Sequence, residues 1–281
     1  MKPTIPFVEM MVTQVCNLSC RGCSTYSDLP YSGYTEWSKG KQQLIPWLDI
    51  VNFRDFGLMG GEPLINPEIK QWVQGLRNLM PNTQIRLPTN GLLLLKHKDV
   101  VDLLHDVGNS ILKITVHAND KKVSDAIKWI ENRFSWEPVT EYGIKRWKTT
   151  NNMRFQINYP KTFNKTFKND YASAMPYNSD PDDAFDFCHQ KLCPLLHNGR
   201  IYKCSTSGLM NLVLEKFKYP NFENWKPYLD NTKNGSIGLD SKIQEIQQFI
   251  ENVGSSHSIC RQCPTKSSAE IFNHSITVIK K

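Results

Sequence analysis

Eight cysteines in two groups are the residues best suited to chemistry in this sequence of 281 residues. Three of them lie close together near the N-terminus, and the other five lie beyond position 187, with no cysteine between the groups. They are Cys16, Cys20, Cys23, Cys188, Cys193, Cys204, Cys260 and Cys263. In a reducing compartment such clusters indicate metal binding or catalysis, because structural disulfides are rare there.

The first group, Cys16, Cys20 and Cys23, forms a C-x3-C-x2-C segment directly after an apolar run that predicts a strand. Three thiolates in one short loop can hold three corners of a four-iron cluster and leave the fourth iron without a protein ligand. Such an open iron can bind a small molecule, whereas a structural site is closed by four protein ligands. For this segment alone, a zinc knuckle or an ordinary ferredoxin-type centre is the alternative.

A Gly-Gly-Glu-Pro segment, Gly60 to Pro63, follows a second apolar run. In a β/α barrel this is the point where a strand delivers residues to the carboxyl-end mouth. Gly60 and Gly61 allow the backbone to approach a ligand closely, and the carboxylate of Glu62 can accept hydrogen bonds from an ammonium group. A plain strand-to-helix turn is the alternative for these residues taken alone.

The cysteine triplet followed by this segment resembles the radical S-adenosylmethionine (radical SAM) superfamily. The resemblance implies a [4Fe-4S] cluster on the triplet, S-adenosylmethionine chelating its unique iron, and contacts from Gly60, Gly61 and Glu62 to the amino group of that cofactor. It also implies reductive cleavage of S-adenosylmethionine to a 5′-deoxyadenosyl radical, which removes a hydrogen atom from a substrate. The protein then positions the cofactor and excludes water.

Other candidate cofactor contacts come from the ends of the next two predicted strands. Thr89 and Asn90 open a Thr-Asn-Gly segment that is similar to one common in the superfamily, although it is also a good turn. Thr115 and His117 stand where relatives often have Ser-x-Asp, and His117 could equally be a hydrogen-bonded rim residue. His117 and Gly22 depart from the family pattern, since many members have an aromatic residue beside adenine at the position of Gly22.

The second group is organised by a hairpin signal, Asn198-Gly199, between two short apolar runs. This dipeptide favours a two-residue turn, which predicts that Cys193 and Cys204 are brought to the same end of the hairpin. The later C-x2-C pair can complete the metal shell, so five thiols converge on one predicted site.

This second arrangement resembles the twitch domain, a shorter relative of the SPASM domain that follows many radical SAM barrels. The resemblance implies an auxiliary [4Fe-4S] cluster held by Cys204, by Cys260 and Cys263, and by a first ligand that is either Cys188 or Cys193. One of those two cysteines is then free. A tetrahedral zinc site is the alternative.

Short β-prone runs alternate with helical patterns between residues 7 and 158, which is typical of βα units with a parallel sheet. Strands are predicted at 7–13, 55–59, 84–88, 111–116 and 153–158, and helices at 69–80, 99–106, 120–134 and 241–253. Asn66 is predicted as the N-cap of the first of these helices, and 141–150 is read as a strand or a loop. We therefore expect an α/β protein with a partial (β/α)6 TIM-like barrel over 1–165, a linker over 166–187 and a twitch-like domain over 188–281.

The composition permits a soluble folded enzyme, with 40% hydrophobic and 22% charged residues. No apolar run approaches the ~18 residues of a membrane span, and the N-terminus lacks a secretory signal, so the expected compartment is the cytoplasm. The net charge of +7 would be reduced by roughly three charges on two clusters. Because the basic residues are dispersed, a nucleic-acid partner is not expected.

The sequence predicts a radical SAM oxidoreductase or related enzyme that acts on a small polar metabolite, such as a sugar, amino sugar or nucleotide. The expected partners are this substrate, or a peptide, and an external electron donor such as flavodoxin or ferredoxin. A peptide maturase or other macromolecule-modifying enzyme is one alternative, although only six residues precede the first predicted strand. A non-catalytic iron–sulfur or zinc protein is the other. No catalytic side chain is assigned.

Overall fold

The computed structural model describes residues 2–117, 120–141, 144–230, 235–273 and 276–278. Its strands are β1 (Thr4–Thr13), β2 (Leu18–Cys20), β3 (Asn52–Gly60), β4 (Gln84–Thr89), β5 (Ser110–Thr115), β6 (Glu137–Glu141), β7 (Ile144–Lys148), β8 (Met153–Asn158), β9 (Thr162–Asn164), β10 (Leu195–His197), β11 (Arg200–Tyr202), β12 (Ser236–Ile237), β13 (Ile271–Asn273) and β14 (Ile276–Val278). Its helices are α1 (Trp37–Leu48), α2 (Ile69–Leu79), α3 (Lys98–Val107), α4 (Lys121–Arg133), α5 (Pro181–Phe187), α6 (Ser205–Lys216), α7 (Phe222–Leu229) and α8 (Ile243–Glu251).

One large sheet dominates the described residues, with strand order β12-β11-β10-β1-β3-β4-β5-β8-β7-β6. The run from β10 to β8 is parallel throughout, and antiparallel strands flank it on both sides. This mostly parallel sheet with intervening helices confirms the predicted α/β class. The five predicted strands are present as β1, β3, β4, β5 and β8.

The sixth parallel strand lies outside the predicted barrel range of 1–165. It is β10, which pairs with β1 so that Glu9 lies opposite Leu195 and Met10 opposite Leu196. The outer edge of β1 needs a partner for its backbone groups, and a segment from the cysteine-rich half of the chain supplies one. A six-strand barrel contained within residues 1–165 is therefore not what the described residues form.

Helices α1 to α4 pack on one face of the sheet. Val8, Met10 and Val12 of β1 point into the core on this face and are almost fully buried. Successive side chains of a strand face opposite sides, so Glu9 of β1 and Lys113 of β5 belong to the other face. We call that opposite face the inner face of the sheet.

Helix α2 begins at Ile69, three residues after the predicted N-cap Asn66. The Asn66 side chain instead donates to the carbonyl oxygens of Val12 at 2.9 Å and Thr35 at 3.0 Å, and accepts from the backbone N–H of Glu68 at 2.8 Å. The N-cap position of α2 is therefore Glu68 and not Asn66. The Asn66 oxygen still accepts from a backbone N–H two residues on, but in the turn that precedes the helix, while its NH2 group ties this turn to β1 and to the segment before α1. The helices predicted at 99–106, 120–134 and 241–253 are present as α3, α4 and α8.

A second core lies on the cysteine-rich side of the molecule and includes Met11, Tyr26, Leu195, Leu209 and Trp225. The segment 166–187, expected as a linker, contributes to this core and contains helix α5. Its isolated aromatic and small residues are buried there, which an exposed linker would not achieve. The division of the chain into domains stays a prediction.

Two hairpins complete the sheet. Residues 141–150, for which the sequence allowed a strand or a loop, contribute strand β7, which pairs with β6. Strands β10 and β11 form the predicted hairpin, with Asn198 and Gly199 at φ values of +49° and +76°. Positive φ at both positions is what a type I′ turn requires.

Among the described residues, no helix is long and apolar enough to cross a membrane.

Candidate active site

The three N-terminal cysteines lie in a tight loop between β1 and the turn that follows β2. The backbone N–H of Cys23 donates to the carbonyl oxygen of Cys20 at 3.1 Å, which folds the loop back on itself. The Leu18 N–H points at the sulfur of Cys16 at 3.4 Å, and the hydroxyl of Thr25 lies 3.4 Å from the sulfur of Cys23. Donors aimed at the sulfurs suit thiolate ligands.

Burial, with a smaller contribution from the Cys23 thiol, raises the pKa of Cys16 and of Cys20 to about 12. The Cys16 thiol also raises the pKa of Cys20, so the three thiols interact electrostatically. Thiols in this setting keep their protons unless a positive centre compensates for the negative charges. Metal binding requires deprotonated sulfur, so these thiols suit a cationic cluster core better than a free catalytic thiolate.

Gly60 and Gly61 hold the end of β3 against the end of β1. The Gly61 N–H donates to the Thr13 carbonyl oxygen at 3.0 Å, and the next N–H, of Glu62, donates to that of Val15 at 2.9 Å. A Cβ atom on Gly61 would lie 2.4 Å from the Val15 oxygen. Only glycine permits this approach, so the pair fixes the Glu62 segment beside the cysteine loop.

Glu62 is fully buried and links the ends of β3 and β4. Its carboxylate accepts from the Thr89 hydroxyl at 2.7 Å, the Asn90 backbone N–H at 2.8 Å and the Leu64 N–H at 3.2 Å. Burial raises the pKa of Glu62 to about 7, while these hydrogen bonds lower it. The carboxylate is thus held in a fixed orientation next to the cysteine loop.

Asn90 connects this carboxylate with the cysteine loop. Its side-chain amide donates to the side-chain oxygen of Asn17 at 2.7 Å and lies 3.9 Å from the sulfur of Cys16. The structure therefore brings Glu62, Thr89 and Asn90 together around Cys16. Asn17 belongs to the same network, and its place inside the cysteine triplet was the sequence signal that could have found it.

Thr115 and His117 occupy the carboxyl end of β5. The Nδ1 atom of His117 lies 3.8 Å from the sulfur of Cys20, and its ring centroid lies 6.1 Å from that of Phe163. Thr115 is half-buried and pairs with Asn158 on β8. His117 thus contacts a candidate cluster ligand. Thr115 directly follows Ile114, which pairs with Thr89 of the Glu62 network.

The departure from the family pattern at Gly22 has a steric explanation. Gly22 has a φ of +76°, and a Cβ atom there would lie 2.7 Å from the ring of Phe272 and 3.1 Å from the Asn164 carbonyl oxygen. Strands β9 and β13 pair with each other at this position. Arg21 stacks on the Phe272 ring at 4.1 Å and pairs with Glu270 at 2.6 Å. Aromatic cover for the loop therefore comes from position 272.

The later cysteines meet at three chain segments. Cys188 ends helix α5, Cys204 is the N-cap of helix α6, and Cys260 and Cys263 bracket the end of a 3-10 turn at Ser258–Gln262. Burial raises the pKa of Cys263, and the thiols of Cys204, Cys188 and Cys260 each raise it as well. A helix N-terminus favours negative charge, which suits a thiolate at Cys204.

Lys203 places a positive charge beside these thiols, and no pattern in the sequence indicates this role. Its ammonium donates to the carbonyl oxygens of Asn252 at 3.1 Å, of Val253, and of Ser255 at 2.7 Å. Burial lowers the pKa of Lys203, while Cys260, Cys204 and Cys188 raise it. The ammonium therefore supports negative charge at the second cysteine group and anchors the loop that leads to Cys260.

A cavity of about 390 Å³ separates the two cysteine groups. Gly22 and Ser24 of the first loop border it on one side, and Cys188, Cys204 and Cys263 border it on another. Residues 160–164, which follow β8, contribute a further wall. Because the loop of the first cysteine group and three cysteines of the second group line one cavity beside the carboxyl end of β8, they belong to one candidate active site.

Residues 10–153 match the family model of the radical SAM superfamily, which is half of the chain. The chain belongs to this superfamily. The radical SAM family carries a 4Fe-4S cluster and S-adenosylmethionine, and the matched range contains the cysteine triplet, the Gly60 to Glu62 segment and the ends of β4 and β5.

Curated relatives agree with this membership over the same half. The chain is 26% identical over 139 residues to GTP 3′,8-cyclase of Trichormus variabilis, covering 48% of this chain and 42% of the relative. It is 26% identical over 137 residues to GTP 3′,8-cyclase of Microcystis aeruginosa, covering 47% and 41%. The chain therefore spans less than half the length of these relatives.

A solved structure extends the similarity in fold to nearly the whole chain. BtrN in complex with AdoMet and 2-DOIA covers 95% of this chain and 96% of its own, with a TM-score of 0.51 and 14% sequence identity. At this identity the comparison concerns the fold, which matches the TIM-like architecture of the superfamily.

Proposed function

We propose that this radical SAM enzyme cleaves S-adenosylmethionine reductively and abstracts a hydrogen atom from a small polar metabolite held between two iron–sulfur clusters. The observation that carries the proposal is the cavity bordered by Gly22 and Ser24 on one side and by Cys188, Cys204 and Cys263 on the other. A molecule in this cavity would lie within reach of both cysteine groups, so radical formation and electron transfer could act on one substrate.

The residues of the first site suit the cofactor that the family implies. Cys16, Cys20 and Cys23 would hold the [4Fe-4S] cluster, and Glu62 would orient the amino group of S-adenosylmethionine through the network it shares with Asn90. When bound, the cluster and S-adenosylmethionine supply the 5′-deoxyadenosyl radical that abstracts hydrogen. The chain's own contribution is to hold these groups in place and to exclude water with the Phe272 cover.

The second site supports an auxiliary [4Fe-4S] cluster in a twitch-like domain. The coupled thiols, the helix N-terminus at Cys204 and the Lys203 ammonium all favour several thiolates in a small volume. An auxiliary cluster next to the substrate would accept an electron from it, which suits a net oxidation. An external donor such as flavodoxin or ferredoxin would then deliver electrons to the first cluster.

The size of the cavity supports a small substrate. About 390 Å³ lies at the lower end of the range for small-molecule sites, which is roughly 300–1,000 Å³. The names of the comparison proteins also point to small molecules, since one relative is named for GTP and the BtrN structure contains 2-DOIA. Sugars, amino sugars and nucleotides are therefore the substrate classes to test first.

The catalytic part of the proposal is tested by anaerobic reconstitution followed by dithionite and S-adenosylmethionine. We expect 5′-deoxyadenosine from the wild-type chain and none above background from a Cys16→Ala, Cys20→Ala, Cys23→Ala variant. A Cys188→Ser variant is the matched control, because it removes a thiol from the second group only. Absence of 5′-deoxyadenosine from the wild type would contradict the catalytic proposal.

Iron and zinc analysis tests the second site separately. Two four-iron clusters require about eight irons per reconstituted chain. About four irons with one zinc ion would contradict the auxiliary cluster and leave the first site unaffected.

A further inference from the structure

Cys193 differs in its surroundings from the other four cysteines of the second group, although the Cys204 and Cys188 thiols also raise its pKa. Cys204, Cys188 and Cys260 raise the pKa of Cys263, and Cys193 is not among the groups that do so. The cavity between the two cysteine groups is bordered by Cys188, Cys204 and Cys263, and Cys193 does not line it. A fifth thiol is also more than a four-iron site can use.

Cys193 instead adjoins the inner face of the sheet. It lies two residues before β10, and the backbone N–H of Glu9 donates to the carbonyl oxygen of the neighbouring Pro194 at 2.8 Å. After burial, the charges with the largest effect on the Cys193 thiol are Glu9, which raises its pKa, and Lys113, which lowers it. These two groups come from β1 and β5, and both lie on the inner face.

Glu9 is a buried carboxylate that lacks a hydrogen-bond or ion-pair partner among the described residues. It is 8% exposed and faces Lys113 and Arg86, which act on it electrostatically without contact. Arg86 is already held by the carboxylate of Asp55 and by the ring of Phe7. A buried carboxylate without a partner destabilises the fold, so its presence points to a ligand that completes it.

Lys113 is a second charged group left open on the inner face. It is exposed although it lies in β5, inside the sheet, and it makes no ion pair or hydrogen bond within the described ranges. Strands inside a parallel sheet usually bury both faces under apolar cover. An inner face that leaves Lys113 exposed on β5 and buries the opposite charge of Glu9 on β1 is therefore suited to a polar ligand.

We propose that Cys193 is not a cluster ligand and that Cys193, Glu9 and Lys113 form a polar patch on the inner face, which extends the substrate site beyond the cavity bordered by Cys188, Cys204 and Cys263. The patch takes a small polar molecule that offers a hydroxyl or ammonium donor to Glu9 and an oxygen acceptor to Lys113. This inference rests on the proposed function, because it divides the second cysteine group into four cluster ligands and one substrate-facing thiol.

Iron counting of matched serine variants tests the first part. Cys193→Ser is expected to keep about eight irons per chain, whereas Cys188→Ser loses about four. The reverse result, with iron lost from Cys193→Ser and kept by Cys188→Ser, overturns the inference and leaves the proposed function standing. A wild-type chain with only about four irons overturns both.

Alkylation of the reconstituted wild-type protein tests whether the thiol is free and the patch is open. Because burial raises the pKa of Cys193, the treatment uses iodoacetamide at alkaline pH and over an extended time. Peptide mapping is then expected to find Cys193 modified and the seven other cysteines protected. Protection of Cys193 overturns the inference.

Two reagents of similar size then report on the charges of the patch. Iodoacetate is an anion and iodoacetamide is neutral. Because both react with the same thiolate, the ratio of their alkylation rates at Cys193 does not depend on how reactive that thiol is. Relative to wild type, we expect the iodoacetate-to-iodoacetamide ratio to fall about threefold or more in Lys113→Met and to rise similarly in Glu9→Gln. Equal ratios in all three proteins would show that these groups do not share one open patch.

Discussion

At the scale of single residues, Glu62 and Glu9 are two buried carboxylates with opposite surroundings. Glu62 accepts three hydrogen bonds from the ends of neighbouring segments, whereas Glu9 accepts none among the described residues. Burial raises the pKa of each to about 7. Glu62 is therefore held in place by hydrogen bonds within the site. Glu9 destabilises the fold until a ligand supplies the hydrogen bonds that it lacks.

Replacing Glu62 tests its proposed contact with the cofactor. In Glu62→Gln, the amide group cannot accept from both Thr89 and Asn90 as the carboxylate does, and the charge is lost. We expect S-adenosylmethionine to bind about tenfold more weakly or worse, measured by titrating the spectroscopic change of the reduced cluster. Glu131→Gln, an exposed change on α4, is the control. Unchanged affinity in Glu62→Gln would contradict the contact.

Glu9 predicts a pH dependence of stability. Its folded-state pKa of about 7 lies above the ordinary value of 4.5, so the folded chain holds the proton more tightly than the unfolded chain. Stability is therefore lost as the pH rises from 4.5 to 7, with a slope of at most about 1.4 kcal/mol per pH unit. The groups facing Glu9 are Lys113, Arg86 and Cys193.

The variant Glu9→Gln isolates this effect. Its melting temperature should exceed that of wild type increasingly between pH 4.5 and 7, with a constant difference above pH 7. Thermal denaturation of both reconstituted proteins across this range makes the comparison. A difference that stays flat over the whole range would show that Glu9 does not titrate there.

Residues of the site differ in how far the sequence could predict them. The triplet Cys16, Cys20 and Cys23 is local, and its spacing is enough to indicate a cluster. Asn17 had a local signal, its place inside the cysteine triplet, although its partner Asn90 lies 73 residues away. Lys203 acts through carbonyl groups about 50 residues away, so no local pattern indicates it. Glu9 had a weak signal in the sequence, because it is a charged residue inside an apolar strand. The role of such a charge depends on which face of the sheet is covered, and the sequence does not show this.

At the scale of elements, strand β13 covers the first cysteine loop. Its Phe272 ring lies against Gly22 and stacks on Arg21, and β13 itself pairs with β9. The sequence could identify Gly22 as a departure from the family, but the compensating ring lies 250 positions further along the chain. Strands β1, β3, β4, β5 and β8 were predictable, because each is a short apolar run whose signal is local.

Removal of the Phe272 ring should expose the first cluster to solvent. In Phe272→Ala we expect the visible absorbance of the reconstituted first cluster to decay several times faster in air than in wild type, because oxygen and water reach the loop. The comparison is best made in a background without the second group of cysteines. Phe222→Ala removes an exposed ring on α7 and should leave the rate unchanged. Equal decay in Phe272→Ala would contradict the covering role.

At the scale of the whole molecule, the two cysteine groups are tied together by one sheet. Strand β10 adds to β1, and Leu195 and Met11 share the second core with Leu209 and Trp225. The sequence suggested separable domains because its composition changes near residue 165. That change does not reveal strand pairing between distant segments, so the joint sheet could not be predicted from it.

A chain shortened to residues 1–187 tests this joint construction. It lacks β10 and most of the second core, so β1 gains an open edge and Met11 and Tyr26 lose their apolar neighbours. We expect aggregation in size-exclusion chromatography with light scattering. The full chain with Ser at positions 188, 204, 260 and 263 loses the cluster ligands alone and should stay monodisperse. A folded, monomeric 1–187 fragment would contradict the prediction.

The pairing of β1 with β10 also sets an order of events during synthesis. Glu9 and Leu195 are separated by 186 positions, and at ordinary translation rates this distance takes roughly 10–40 s to make. For most of that interval the first three cysteines have left the ribosome, while the strand and core that shelter them do not yet exist. Iron delivered to the nascent chain would meet an open loop, so productive loading of the first cluster belongs after β10 has been synthesised and paired.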